Sequence, residues 1–148
     1  MTSTTWRNNN RRRSSGAAVL DMALVLPILL ALAFGTVEFG HYFWIKHNLQ
    51  AAAREGARAS IVPTATNQNV IDAVKLSMDA AGIPQANYTV AITDTATTPT
   101  ALNVASVVAG TPIKVTVTAN WGTVGVRPLG VISASKNVIG ATVMRKEG

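Results

Sequence analysis

Residues 22–37 contain no charged side chain, and apolar character extends outward from Ala17 to Ile45. At a rise of about 1.5 Å per residue, a helix over residues 17–38 covers on the order of 32 Å, matching a hydrocarbon core about 30 Å thick. This predicts a membrane-spanning helix. The helix continues to about residue 61 and stops ahead of Pro63, because the residue before a proline is pushed out of helical geometry. Within that extension Ala52, Gly56 and Ser60 fall four apart on one face. A small-residue stripe of this kind permits close approach, either to other helices in an assembly or to the chain's own head. Arg54 and Arg58 share another face and read as solvated.

Beyond residue 62 the pattern shortens. A Thr/Asn-rich turn over residues 63–69 leads to a second helix over residues 70–81, with Gly82 and Pro84 as stop signals. Alternation follows: Tyr88, Val90 and Ile92 point one way, as do Ile113, Val115 and Val117, with Lys114, Thr116 and Thr118 opposite. Residues 93–100 form a polar loop, residues 104–108 a short strand, and residues 110–112 a turn. Residues 121–129 read as a loop and residues 132–144 as a final long or broken strand. The sum is an α+β chain: a long N-terminal transmembrane helix extending into a small head with one short helix and a three- to four-stranded antiparallel sheet. Its expected divisions are a basic leader (1–16), the transmembrane helix (17–45), a helix extension (46–62) and the head (63–148).

Charge orients this arrangement. The chain has 13 Lys and Arg against 7 Asp and Glu, a formal net charge of +6. Four of the bases (Arg7, Arg11, Arg12 and Arg13) precede the apolar run without an acid among them. The positive-inside rule keeps that leader cytoplasmic and sends the head to the extracytoplasmic side of the membrane, which the resemblance given below implies is the periplasmic side of a bacterial inner membrane. The remaining nine bases nearly balance seven acids and show no basic groove with interleaved aromatics, which argues against nucleic-acid binding. On the far side, Phe39, Tyr42, Phe43 and Trp44 cluster where amphipathic rings favour the membrane interface.

Three residues in this region stand out. Glu38 falls at the outer interface by length, which favours an anchor whose carboxylate reaches water over a buried role in helix packing. Asp21 lies one turn inside the apolar run, where a carboxylate is costly and usually has a partner. Pro27 removes one backbone donor and can kink the helix. A cleavable secretory signal with a site at residues 31–33 competes for the same region, but the embedded Asp21 and the apolar continuation to Ile45 argue against it.

Catalytic chemistry is not legible. The chain has no cysteine, which excludes disulfides, thiol catalysis and Cys-ligated metals. His41 and His47 are the only histidines, six apart, so they do not share a helical face as metal ligands at i,i+4 would. Phosphate loops, paired catalytic carboxylates and nucleophile elbows are absent from the sequence. The expectation is a chain that is not an enzyme and uses no cofactor.

The segment Gly16-Ala17-Ala18-Val19-Leu20-Asp21 resembles the processing site of type IV prepilins and pseudopilins, in which a basic leader ends in Gly and an acid is fifth in the mature chain. Counted from Ala17, Asp21 is fifth. The longer stretch GAAVLDMALVLPILLALAFGTVEFGHYFWIKHNLQAAAREGARAS resembles the N-terminal segment of TadE-like pseudopilins from tight-adherence (Tad) pilus systems. Leu26-Pro27, Glu38-Phe39-Gly40 and AAAREGARA carry it most specifically, and the closing SASKNVIGATVMRKEG is similar to the family's last strand. The resemblance implies cutting after Gly16 by a membrane-embedded prepilin peptidase. It also implies partners among pilins, other pseudopilins and the inner-membrane assembly platform, and a role in initiating or assembling a Tad pilus. Where the family usually has Glu-Phe, this chain has Asp21-Met22, one methylene shorter at the acid. The alternative is an unprocessed bitopic scaffold or adhesin tether. Mature N-termini at Ala17, at Met1, or at Phe34 for a secretory signal would separate these readings.

Overall fold

The computed structural model describes residues 10–148, with side chains from residue 16 onward. The leader arginine Arg7 and the side chains of Arg11, Arg12 and Arg13 lie outside the described residues. Helix α1 (Asn10–Ile61) is 52 residues long and runs through Pro27 without a break in the helical assignment. Helix α2 (Asn67–Ala80) follows, then strands β1 (Tyr88–Thr93) and β2 (Pro112–Asn120), the one-turn helix α3 (Trp121–Val124) and strand β3 (Asn137–Arg145). The strands form one antiparallel sheet in the order β1-β2-β3. The fold is α+β, a long apolar helix joined to a small head.

Two surfaces of α1 serve different purposes. Its apolar run is exposed along its length: within the most apolar 18-residue window no residue is buried, and this is the one helix among the described residues long and apolar enough to cross a membrane. Its C-terminal third instead buries Ile45, Leu49, Ala52, Ala53, Gly56, Ala57 and Ser60. That spacing of three and four places one stripe against the sheet. The sheet answers with a period of two: Ile113, Val115, Val117 and Ala119 of β2 are buried on the helix-covered face, with Val138 of β3 and with Tyr88 and Ile92 of β1, which pair with Ala119 and Val115. Val70, Val74 and Met78, one turn apart on α2, complete the core.

Local sequence explains where α2 begins and ends. Thr66 caps its N-terminus: the Thr66 hydroxyl accepts from the Asn69 N–H (3.3 Å), and Asn69 Oδ1 accepts from the Thr66 N–H (2.8 Å). This reciprocal pair satisfies two donors that the first turn leaves free. At the other end Gly82 adopts φ +69°, so that the Gly82 N–H donates to the Asp79 carbonyl and the Ile83 N–H to the Met78 carbonyl. A left-handed residue at that position closes a helix with least strain when it is glycine. The Asn67 side chain then ties the preceding turn to the long β1–β2 connection, bonding the Leu102 carbonyl (3.0 Å) and the Val104 N–H (2.7 Å).

Two elements differ from the sequence reading. Residues 104–106 form a 3-10 turn rather than a strand, because Val104 is drawn inward and Asn103 caps the Ala105 N–H. Residues 121–124 form a helical turn rather than loop, capped by Asn120 Oδ1 on the Gly122 N–H, and this turn delivers Trp121 fully buried to the core.

The chain's end returns to lock α1. Lys146 is buried, and its ammonium donates to the carbonyls of Val62 (2.7 Å) and Ser60 (3.4 Å), while the Glu147 N–H donates to the Ile61 carbonyl (2.9 Å). Unpaired carbonyls and negative dipole at a helix C-terminus favour a cation there. Lys146→Met keeps the apolar stem and removes these bonds; it is expected to lower head stability by about 1.5–3 kcal/mol, measured by urea unfolding.

Candidate functional site: the bare helix and its junction with the head

The residues singled out from sequence fall into three places. Gly16, Ala17, Asp21 and Pro27 lie on the exposed part of α1, and none of them is brought to the head. A Cβ added at Gly16 would meet nothing within 4 Å. Asp21 sits among Ala18, Met22, Val25, Leu26 and Leu29 in a shallow apolar depression on one helix face. This stretch therefore offers an unpartnered apolar surface with a single carboxylate one turn from its start.

Ala52, Gly56 and Ser60 form the second group, and the structure turns this stripe inward. A Cβ at Gly56 would stand 2.6 Å from Val74 Cγ2 and 3.2 Å from Val115 Cγ1, so α2 and β2 approach where the side chain is missing. The Ser60 hydroxyl donates to the Ala57 carbonyl (2.7 Å), which satisfies it inside the core. The small residues seat α1 on its own head. Arg54 and Arg58 are exposed, with Arg58 3.4 Å from Glu55.

Glu38 is the third place and the main correction. Length along the helix favours a carboxylate in water at an interface, but Glu38 is fully buried. The loop between α3 and β3 folds over it: Oε1 accepts from the Ile132 N–H (2.8 Å), and Oε2 accepts from the N–H groups of Gly130 (3.1 Å) and Leu129 (3.3 Å). An ionised carboxylate has only acceptors, so three converging main-chain donors match it. Length along the helix locates a residue in depth but is silent on which part of the chain folds back over it. The "Pro-Leu-Gly" sequence at residues 128–130 was the available signal for a tight loop, and nothing local paired it with Glu38.

Aromatic side chains stack beside this junction. Trp121 packs edge-on to Tyr42 (5.4 Å between centroids) and tilted against His41 (5.8 Å), and His41 stacks on Trp44 (5.3 Å). His41 Nε2 bonds the Val124 carbonyl (3.0 Å), which commits it to structure. Along β3, Gln50 bonds the Ala141 carbonyl (2.8 Å) and N–H (3.3 Å), and the Lys46 ammonium bonds the Ile139 carbonyl. The junction is thus a polar seam that fixes the head's position on α1. Among the described residues, no group of three or more His, Cys, Asp or Glu is placed to hold a metal ion.

Glu38→Ala would leave the Leu129, Gly130 and Ile132 N–H groups without their acceptor, and buried unpaired donors are destabilising. The expected result is a lower Tm for the variant than for Glu38→Gln, which keeps one acceptor oxygen. Loss of amide-exchange protection should be confined to residues 129–132.

Comparison with known proteins meets the chain on the helix. The family model of TadE-like proteins matches residues 16–58, from Gly16 through the exposed apolar run and into the part that packs on the head. No curated protein and no solved structure matches the chain. Over residues 16–58, under a third of its length, this chain is thus similar to the TadE-like proteins.

Proposed function

We propose that the chain is a minor pseudopilin, cut after Gly16 by prepilin peptidase, that helps initiate or assemble a Tad-type pilus. The observation that carries this reading is the match beginning at Gly16 on a helix whose most apolar window is left unburied by the described residues. A helix that is apolar all round is stable in lipid or against other apolar helices, and pilus assembly supplies both. Cutting would leave the amine of Ala17 four residues from the carboxylate of Asp21. The two can satisfy each other within a subunit or between neighbours and so help set register. The head lies outside the cytoplasm on this reading, with the leader arginines inside. Assembly energy comes from a separate cytoplasmic ATPase.

Photocrosslinking from Leu24, exposed on the bare helix, tests the partner assignment in the native strain. Capture of pilin, another pseudopilin or the assembly platform is expected; adducts with none of these would contradict the reading.

One observation favours the second reading, an unprocessed bitopic scaffold or adhesin tether. Helix α1 begins at Asn10 and continues through Gly16, whereas presentation of the scissile bond calls for an extended backbone. On the first reading the peptidase unwinds this end of the helix, and glycine makes that easier by roughly 1 kcal/mol relative to alanine.

A further inference from the structure

The loop at residues 126–131 presents an apolar surface to solvent. Val126, Leu129 and Val131 are 49%, 43% and 60% exposed. The loop lies against α1 at the end of the apolar run: Leu129 Cδ1 is 4.0 Å from where a Cβ at Gly35 would stand, three residues before Glu38 on the helix. At about 1.5 Å per residue, that places Leu129 roughly 4–5 Å to the membrane side of Glu38. Phe39 and Phe43 are exposed on α1 nearby and, with Tyr42, line a groove shared with Val131 and Ile132.

From this geometry we infer that the loop is a second membrane contact, a foot that dips its apolar tips into the outer interface of the same bilayer that α1 spans. The occupant is phospholipid, and three observations select it. The apolar surface is continuous with the exposed run of α1. Arg127 and Lys136 are exposed on or beside the loop, where cations meet lipid phosphates. The backbone donors at the loop's tip are also prepared for a poorly hydrated setting. Pro128 has no N–H, and the N–H groups of Leu129, Gly130 and Ile132 are consumed by Glu38. Irregular backbone is tolerated at membrane depth only when its polar groups are satisfied by protein or by water. On this account the buried carboxylate of Glu38 lowers the cost of placing residues 129–132 there. The head, already fixed on α1, consequently meets the membrane at a second point.

The inference rests on the span of α1 and not on processing. Because the chain has no cysteine, single spin labels can be placed at Leu129→Cys, Val131→Cys, Thr98→Cys and Leu24→Cys in the full chain. The labelled proteins go into phosphatidylethanolamine and phosphatidylglycerol vesicles, and collision with oxygen is compared with collision with a water-soluble nickel chelate. Labels at 129 and 131 are expected to favour oxygen several-fold more than the label at 98, and to keep that preference as the protein is diluted in lipid. Chelate access at 129 and 131 equal to that at 98 would overturn the inference. Protection that vanishes on dilution would also overturn it, in favour of contact between copies. An aqueous signal at 24 would show instead that the span itself had failed. Circular dichroism matching the wild type qualifies each variant, and the two loop positions guard against a local defect at either.

Discussion

A Gly16→Arg strain is expected to make no pili and to accumulate the full-length chain, while Gly16→Ala is processed slowly or tolerated. Position 16 carries no packing load, since a Cβ there would meet nothing within 4 Å. Replacing glycine inside a helix also stabilises rather than destabilises it, by up to about 1 kcal/mol for alanine. The fold therefore gives no reason for either variant to fail. On the proposed function, failure comes from the enzyme that would read the site, where a bulky cation obstructs the scissile bond and alanine adds only a methyl group. Immunoblots for precursor and mature forms, with pilus counts by electron microscopy, check both variants. Wild-type piliation by Gly16→Arg would remove the processing step from the account.

Gly140→Leu is expected to detach α1 from the sheet. Gly140 lies on the inward row of β3, opposite Val117. A Cβ there would stand 2.3 Å from the carbonyl carbon and oxygen of Leu49 and 2.5 Å from the Gln50 nitrogen. These are backbone atoms of α1, which cannot turn aside as a side chain can. Overpacking usually costs about 1–3 kcal/mol, and a clash with helix backbone belongs at or beyond the top of that range. For a domain of this size, 3 kcal/mol corresponds to a Tm roughly 12–24 °C lower. Displacement of the helix would also break the Gln50 bonds to Ala141. Thermal unfolding by circular dichroism measures the loss. A Gly140→Leu head as stable as the wild type would mean that α1 does not lie on β3 at Leu49.

How much of this was legible depends on the range over which each feature is encoded. The long helix, the β2 alternation of Ile113, Val115 and Val117 and the stop at Gly82 are set by neighbours within a turn or a strand, and they can be read from spacing. The 104–106 turn was misread because Val104 and Val107 look like a strand until Asn103 is seen to cap it. Trp121 reads as loop in the sequence because the glycines at 122 and 125 mark a break; the backbone folds tightly around the indole there, and a Cβ at Gly125 would stand 2.6 Å from it. Glu38 was the most misleading position. Its partners lie more than 90 residues away in sequence, and carboxylate-to-backbone pairing leaves no signature in the partners' side chains. The stripe of Ala52, Gly56 and Ser60 announced a close approach without saying to what. Gly140 carried the same message within a strand, where an interior glycine signals close backbone approach.

On the proposed function the membrane helix is a cut and assembled element rather than an anchor alone. Mass determination of the N-terminal peptide from the native membrane tests it most directly. The account predicts a chain beginning at Ala17, whose new amine lies one turn from Asp21. An intact Met1 in cells with active prepilin peptidase would contradict it and leave the unprocessed tether.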